Sequence, residues 1–212
     1  MTEVENLARW LASLPKEWTA GIDLAVLERA RAAYDSPGRH YHTWDHVLAC
    51  VEQLRSMPCD NPHVVFLALV FHDAVYVAGR KDNEERSARL ARDVLSATPS
   101  VSAPHLAEIE RLIIATKDHH AHADSATGDE ATMLDIDLSI IGAQRADYAR
   151  YAKAIHDEWV PAVTSELFFR IGRAKFLRGM LAAPHVYLTP IARERWDAAA
   201  RANMAWEIAQ LT

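Results

Sequence analysis

The side chains best suited to chemistry in this sequence are its histidines, eleven in 212 residues and clustered rather than scattered. The doublet His72-Asp73 follows a charge-free apolar run, Pro62 to Phe71. A carboxylate at the end of such a run needs a cation, a proton or solvent, because an unpaired buried charge is not tolerated. The adjacent histidine supplies a neutral nitrogen donor, and imidazole together with carboxylate suits a divalent metal. The plainer alternative is a helix that simply ends in water at a surface aspartate.

Three further clusters carry similar chemistry. Arg39-His40-Tyr41-His42-Thr43-Trp44-Asp45-His46 leads into Val47, Leu48, Val51 and Leu54, an amphipathic helical spacing. His42 and His46 stand four apart, which on a helix is one face. Thr43 reads as an N-cap, however, which puts His42 just before the helix and His46 in its first turn. One histidine would then be a metal ligand and the other a loop-borne substrate contact; a solvated polar helix start is the alternative. In Leu134-Asp135-Ile136-Asp137-Leu138, two acids sit two apart inside an apolar run. Such positions point about 200° apart on a helix, so at most one readily faces a core. Asp137 has Leu134, Leu138 and Ile141 at helical spacings and is the better candidate, which leaves Asp135 to cap or to face solvent. Finally, His119, His120 and His122 lie where a helix that begins near Pro104 should close. Cationic imidazoles there would complement the helix dipole. Alternatively one of them, His119 first, would lie over a metal or a phosphate, with His122 on the surface.

These residues must be positioned by something, and the apolar period says helices. Leu24, Leu27 and Ala30 repeat at three-residue steps, and Leu106, Ile109, Leu112 and Ile113 form an i, i+3, i+4 stripe. The stretches 144–160 and 190–211 are rich in alanine, arginine and glutamate, which are good helix formers. All nine prolines fall between periodic stretches or in a first turn. No segment alternates with β-branched residues and hairpin turns. The expectation is an all-α domain of about eight to ten helices spanning 1–212, in which 63–71 is a helix through the middle of the core. At ~150 residues per domain the length fits a single domain. The last third reads as bracing: Tyr148, Tyr151, Ile155 and Trp159, then Phe168, Phe169, Phe176 and Leu177, then Trp196, Ala200, Met204 and Leu211 are expected in the core or against a second subunit of a homodimer.

Composition excludes several partners. Half the residues are hydrophobic and a quarter charged, so the chain can bury a core. The net charge of −6 gives no support to binding a nucleic acid polymer or an anionic membrane. The longest apolar run is far short of the ~20 residues that span a bilayer. Cys50 and Cys59 cannot form a disulfide scaffold. The acidic start of the chain lacks a signal-peptide core, so a cytoplasmic protein is the expectation.

The order His46, His72-Asp73, Asp137 resembles the HD-domain superfamily of metal-dependent phosphohydrolases. The likeness extends to Arg39–His46, Phe71-His72-Asp73-Ala74-Val75-Tyr76, Asp82-Asn83-Glu84-Glu85-Arg86-Ser87-Ala88, Ile113–His119 and Asp135–Gly142, and is similar to a bacterial branch of predicted HD phosphohydrolases from about residue 30 to the C-terminus. The resemblance implies an all-α HD-type domain with a motif core over about 30–145. It implies metal ligands His46, His72, Asp73 and Asp137, with the following leucine favouring Asp137 over Asp135. It also implies hydrolysis of a small phosphate ester, a nucleotide being one candidate. No histidine lies between 73 and 104, where two-metal members place one, which points to one divalent ion rather than two. The ion could be Mn, Mg, Co, Fe, Zn or Ni.

Two imidazoles and two carboxylates leave open positions on a six-coordinate ion for water and a phosphoryl oxygen. Glu84 and His119 are the candidates for the acid–base work, a contribution of roughly 10²–10⁴-fold. His42, Arg39 and Lys117 are the candidates for substrate contact, since cationic groups must offset phosphate charge. Arg80, Arg173 and Lys175 are further cations near the motifs. Trp44 and Tyr41 could stack a base but read better as core. Two other functions share the ligand set: a di-iron oxygenase, and a metal-stabilised module that binds a nucleotide without turnover.

Overall fold

The computed structural model describes residues 2–119 and 126–212. Among them the helices are α1 Glu3–Ser13, α2 Leu24–Ala33, α3 Trp44–Leu54, α4 Pro62–Phe71, α5 Asn83–Leu95, α6 Ala103–Ala115, α7 Gly128–Asp137, α8 Arg145–Trp159, α9 Glu166–Ala182, α10 Pro190–Ala192 and α11 Ala198–Leu211. A 3-10 turn, Leu138–Gly142, follows α7, and a π-helical stretch, Arg193–Asp197, joins α10 to α11. No strand occurs among the described residues. The fold is all-α, as the apolar period requires. No helix among the described residues is long and apolar enough to cross a membrane.

Local chemistry fixes the helix starts. Thr2 and Glu5 make a reciprocal capping box at α1. Asp23, Asn61, Ser102 and Ser165 each accept a backbone N–H in the first turn of α2, α4, α6 and α9. Pro62 and Pro104 sit in first turns, where a missing N–H costs nothing. Thr43 occupies the cap position of α3 without a side-chain cap bond.

Helix α4 is the axis of the molecule. Every residue from His63 to Phe71 is buried, which explains a run that is apolar on all sides. It packs against α2, α3, α5, α6 and α7. Tyr34, at the end of α2, donates its hydroxyl to the Val70 carbonyl at 3.0 Å. Trp44 lies edge-on to Trp10 and Tyr34, with centroids 5.6 Å away in both cases, so it is core. The axis therefore delivers His72 and Asp73 to the end of a rigid element, where α3 and α7 converge.

The C-terminal helices close the opposite flank. Arg173 on α9 pairs with Glu207 on α11 at 2.8 Å, and Tyr148 on α8 donates to the same carboxylate. Phe169 and Leu177 are buried as expected. Phe168 and Phe176 are not: they are 68% and 45% exposed, which corrects their reading as core. Successive helical residues point about 100° apart, so a helix that buries 169 and 177 turns 168 and 176 outward. The turn after α7 is tightly packed. A Cβ added at Gly142 would come within 2.4 Å of the Trp196 Cβ and 2.9 Å of the Trp196 carbonyl. Gly142→Ala should destabilise the protein by ~1–3 kcal/mol, the usual cost of overpacking; an unchanged melting temperature would contradict this packing.

Candidate metal centre

Side chains from three helices meet at one point. His46 comes from the first turn of α3, His72 and Asp73 from the C-terminal end of α4, and Asp137 from the last residue of α7. Their ligating atoms all lie within 4.8 Å of one another. His46 Nε2 is 3.1 Å from His72 Nε2 and 3.1 Å from Asp137 Oδ1. His72 Nε2 is 3.1 Å from Asp73 Oδ2 and 3.4 Å from Asp137 Oδ1. His46 and His72 are buried, whereas the two carboxylates are 15% exposed, so solvent reaches the cluster from the carboxylate side.

The donor set suits a cation. His72 Nδ1 lies 2.8 Å from the Leu69 carbonyl and donates to it, which turns the Nε2 lone pair toward the cluster. Two imidazole nitrogens and two carboxylates then face a single point, an arrangement that repels itself unless positive charge sits within it. The protonation directions agree. Burial disfavours a charged His72, yet Asp73 and Asp137 outweigh it and raise the imidazole well above its ordinary value. Burial likewise raises Asp73 and Asp137, but His72 outweighs it, helped by His42 at Asp73 and by His119 and His46 at Asp137, so both stay below the ordinary carboxylate range. The residues fit a divalent metal, and His46, His72, Asp73 and Asp137 could hold one.

The neighbouring candidates fall into distinct places. His119 Nε2 is 3.0 Å from the other oxygen of Asp137, Oδ2, at the solvent side of the cluster. Glu84 lies in the first turn of α5, where burial, with the charges of Asp73 and Glu85, raises its carboxyl above the ordinary value. Among the described residues no hydrogen bond ties it to the cluster. Lys117 pairs with Glu85 and is partly exposed. His120 and His122 lie outside the described residues.

Arg39 is not aimed at the cluster's open side. Its two terminal nitrogens donate to four carbonyls, those of His42, Asp73, Ala33 and Ala74. A guanidinium has two N–H groups on each terminal nitrogen, so these are fully committed. Arg39 braces the 39–42 segment against the end of α4. Of the two expectations for Asp135, cap or solvent, only the second fails. Asp135 is buried, not solvent-facing, and accepts the backbone N–H groups of Leu188 and Thr189 at 2.6 and 2.7 Å. Helix α7 is enclosed on both sides, so the two acids point in nearly opposite directions and are both used: Asp137 toward the cluster, Asp135 toward the segment before α10. Asp135→Asn should therefore cost stability, by ~1–3 kcal/mol for a backbone donor left unpaired, while metal affinity measured by calorimetry stays as in the wild type. A loss of metal affinity in that variant would reverse the assignment of the two acids.

One residue carries more than its sequence position suggests. Glu158, at the end of α8, is wholly buried at its side chain. Its Oε1 accepts the backbone N–H groups of His40, Tyr41 and His42 at 2.8, 2.8 and 2.9 Å. Its Oε2 is 2.7 Å from His42 Nδ1. Burial pushes this carboxyl up, but the bonds and charge from His42 and the backbone N–H groups more than cancel that, and hold it at about 2. His42 is stacked on Tyr76, centroids 3.9 Å apart, and lies 6.2 Å from the His46 ring. Glu158 thus fixes the loop that leads into His46 and fixes the ring of His42 at the rim. The signal was present: Glu158 falls three residues after Ile155 and seven after Tyr151, on the apolar stripe of α8.

No family model, curated protein or solved structure matches this chain. What the centre can do rests on its own geometry.

Proposed function

We propose that this protein is a metal-dependent phosphohydrolase of the HD type, acting on a small phosphate ester. The observation that carries the reading is the convergence of His46, His72, Asp73 and Asp137, which are up to 91 residues apart in the chain, within 4.8 Å. The order and character of these residues resemble the HD pattern, and the all-α fold suits it. A divalent ion held there would act as a Lewis acid on a phosphoryl oxygen and lower the pKa of water.

The chain's own residues supply the rest. His119, hydrogen-bonded to Asp137 at the solvent face, is placed to give a proton to the leaving oxygen. Glu84, in the first turn of α5, is the second candidate for carrying a proton. His42 has Nδ1 engaged by Glu158, which leaves Nε2 to meet a phosphate oxygen at the rim. Lys117 adds positive charge nearby. Arg39, committed to carbonyls, positions this machinery rather than touching substrate.

The test is turnover. Purified protein stripped with a chelator and reloaded with Mn²⁺, Co²⁺ or Mg²⁺ should hydrolyse members of a phosphomonoester panel and lose that activity when stripped again. Absence of turnover with every metal across a broad panel would overturn the reading.

A further inference from the structure

A cleft of about 610 Å³ opens beside the metal centre, within the size range of small-molecule sites. His42 and Lys117 form its inner end, and Tyr76, Trp159, Phe168 and Phe176 wall it. The cluster lies behind this end: His42 stands 6.2 Å from the ring of His46, Tyr76 follows Asp73 by three residues, and Lys117 precedes His119 by two.

The chemistry of the wall is specific. Phe168 is 68% exposed and Phe176 45%, an apolar display that a soluble surface does not need. Most charged groups along the cleft already have a partner. His42 is bonded to Glu158, Lys117 to Glu85, and Arg173 to both oxygens of Glu207 at 2.8 and 3.2 Å. Burial and the charge of Glu158 raise the Tyr76 phenol above its ordinary value. The Arg173 guanidinium carbon lies 5.5 Å from the Phe176 ring centroid, a cation–π contact. A polyol would find few unengaged groups to replace its lost water, while a hydrocarbon group would find aromatic faces. The floor between the two phenylalanines is Gly172, inside α9, where an added Cβ would meet nothing within 4 Å.

We propose that this cleft takes an apolar organic group, aryl or branched hydrocarbon, of the same ester whose phosphoryl group sits at the metal centre. This rests on the phosphohydrolase reading and narrows it: the substrate is the phosphomonoester of an apolar alcohol, not of a sugar or polyol.

Ethyl phosphate and 2-phenylethyl phosphate have similar primary-alkoxide leaving groups and differ in the apolar group. With the Mn²⁺-loaded protein, kcat/KM for 2-phenylethyl phosphate should exceed that for ethyl phosphate by ~10–100-fold, as expected for burying one ring. The non-hydrolysable pair 2-phenylethylphosphonate and ethylphosphonate should show the same preference by calorimetry. Phe168→Ala opens the wall and Gly172→Leu fills the floor; both change exposed positions, and melting curves verify that they fold. Each should shrink the preference to within a few-fold of unity in both assays. A phosphonate preference without turnover of either ester supports the cleft while rejecting the hydrolase reading. Equal values for the two esters and the two phosphonates overturn the cleft and leave hydrolysis standing. A wild-type dimer that Gly172→Leu splits, with the phosphonate preference untouched, overturns it too, because the face then belongs to a second copy of the chain.

Discussion

Asp137→Asn should reduce metal-dependent phosphatase activity by ~10³-fold or more, since Lewis-acid stabilisation is worth several kcal/mol and each 1.36 kcal/mol is a factor of ten. Asp137 is the member of the cluster with two separate engagements. Its Oδ1 faces His46 and His72, at 3.1 and 3.4 Å, and its Oδ2 faces His119 at 3.0 Å. Conversion to the amide keeps the shape, removes the charge and replaces one oxygen with a donor that turns a hydrogen toward an imidazole nitrogen. The effect should appear in binding as well as in rate. Excess metal at 100 times its dissociation constant stabilises a folded protein by ~2.7 kcal/mol. The wild type should show a melting shift of that order on adding Mn²⁺, Asp135→Asn should show it too, and Asp137→Asn should not. A full metal-induced shift in Asp137→Asn would remove this residue from the ligand set.

Glu158→Ala should be among the most destabilising single changes in the protein, at ~3–5 kcal/mol, the range for removing one partner from a buried charged network. It would leave three consecutive backbone N–H groups and His42 Nδ1 without their acceptor. Urea titration reads the loss directly. Activity per folded molecule should fall as well, because the loop that carries His42 into His46 loses its anchor. Glu158→Gln keeps an oxygen for the backbone donors and should cost less. The same carboxylate predicts an acid limb. Its folded value of about 2 lies below the ordinary 4.5, so its contribution is complete above the ordinary value and is lost as pH falls toward 2. Acid unfolding should be displaced in Glu158→Gln relative to the wild type, and coincident acid transitions would show that the carboxylate is not held as described.

Much of this was legible in the residues. The run His63–Phe71 is apolar on every side because α4 is enclosed by five helices, and periodicity failure was itself the signal. His72-Asp73 and Asp137 were legible because they break apolar runs at helix ends; that His46, not His42, joins them is what the resemblance to the HD pattern implies. Pairwise facing was harder. The i, i+2 argument left Asp135 to cap or to face solvent; solvent assumed a helix with one wet face, and α7 has none at Asp135. Arg39 stood beside the motif and looked like a phosphate contact; its true partners are backbone carbonyls, which sequence does not display. Phe168 and Phe169 differ by one residue and in opposite burial, a distinction set by how α9 sits on α11.

The measurement that bears most directly on the account is anomalous diffraction from crystals grown with Mn²⁺. One peak within bonding distance of His46 Nε2, His72 Nε2, Asp73 Oδ2 and Asp137 Oδ1 is the predicted result. A map with no peak among those four atoms at saturating Mn²⁺, or with Asp137 or His46 turned away from the His72–Asp73 pair, would contradict it.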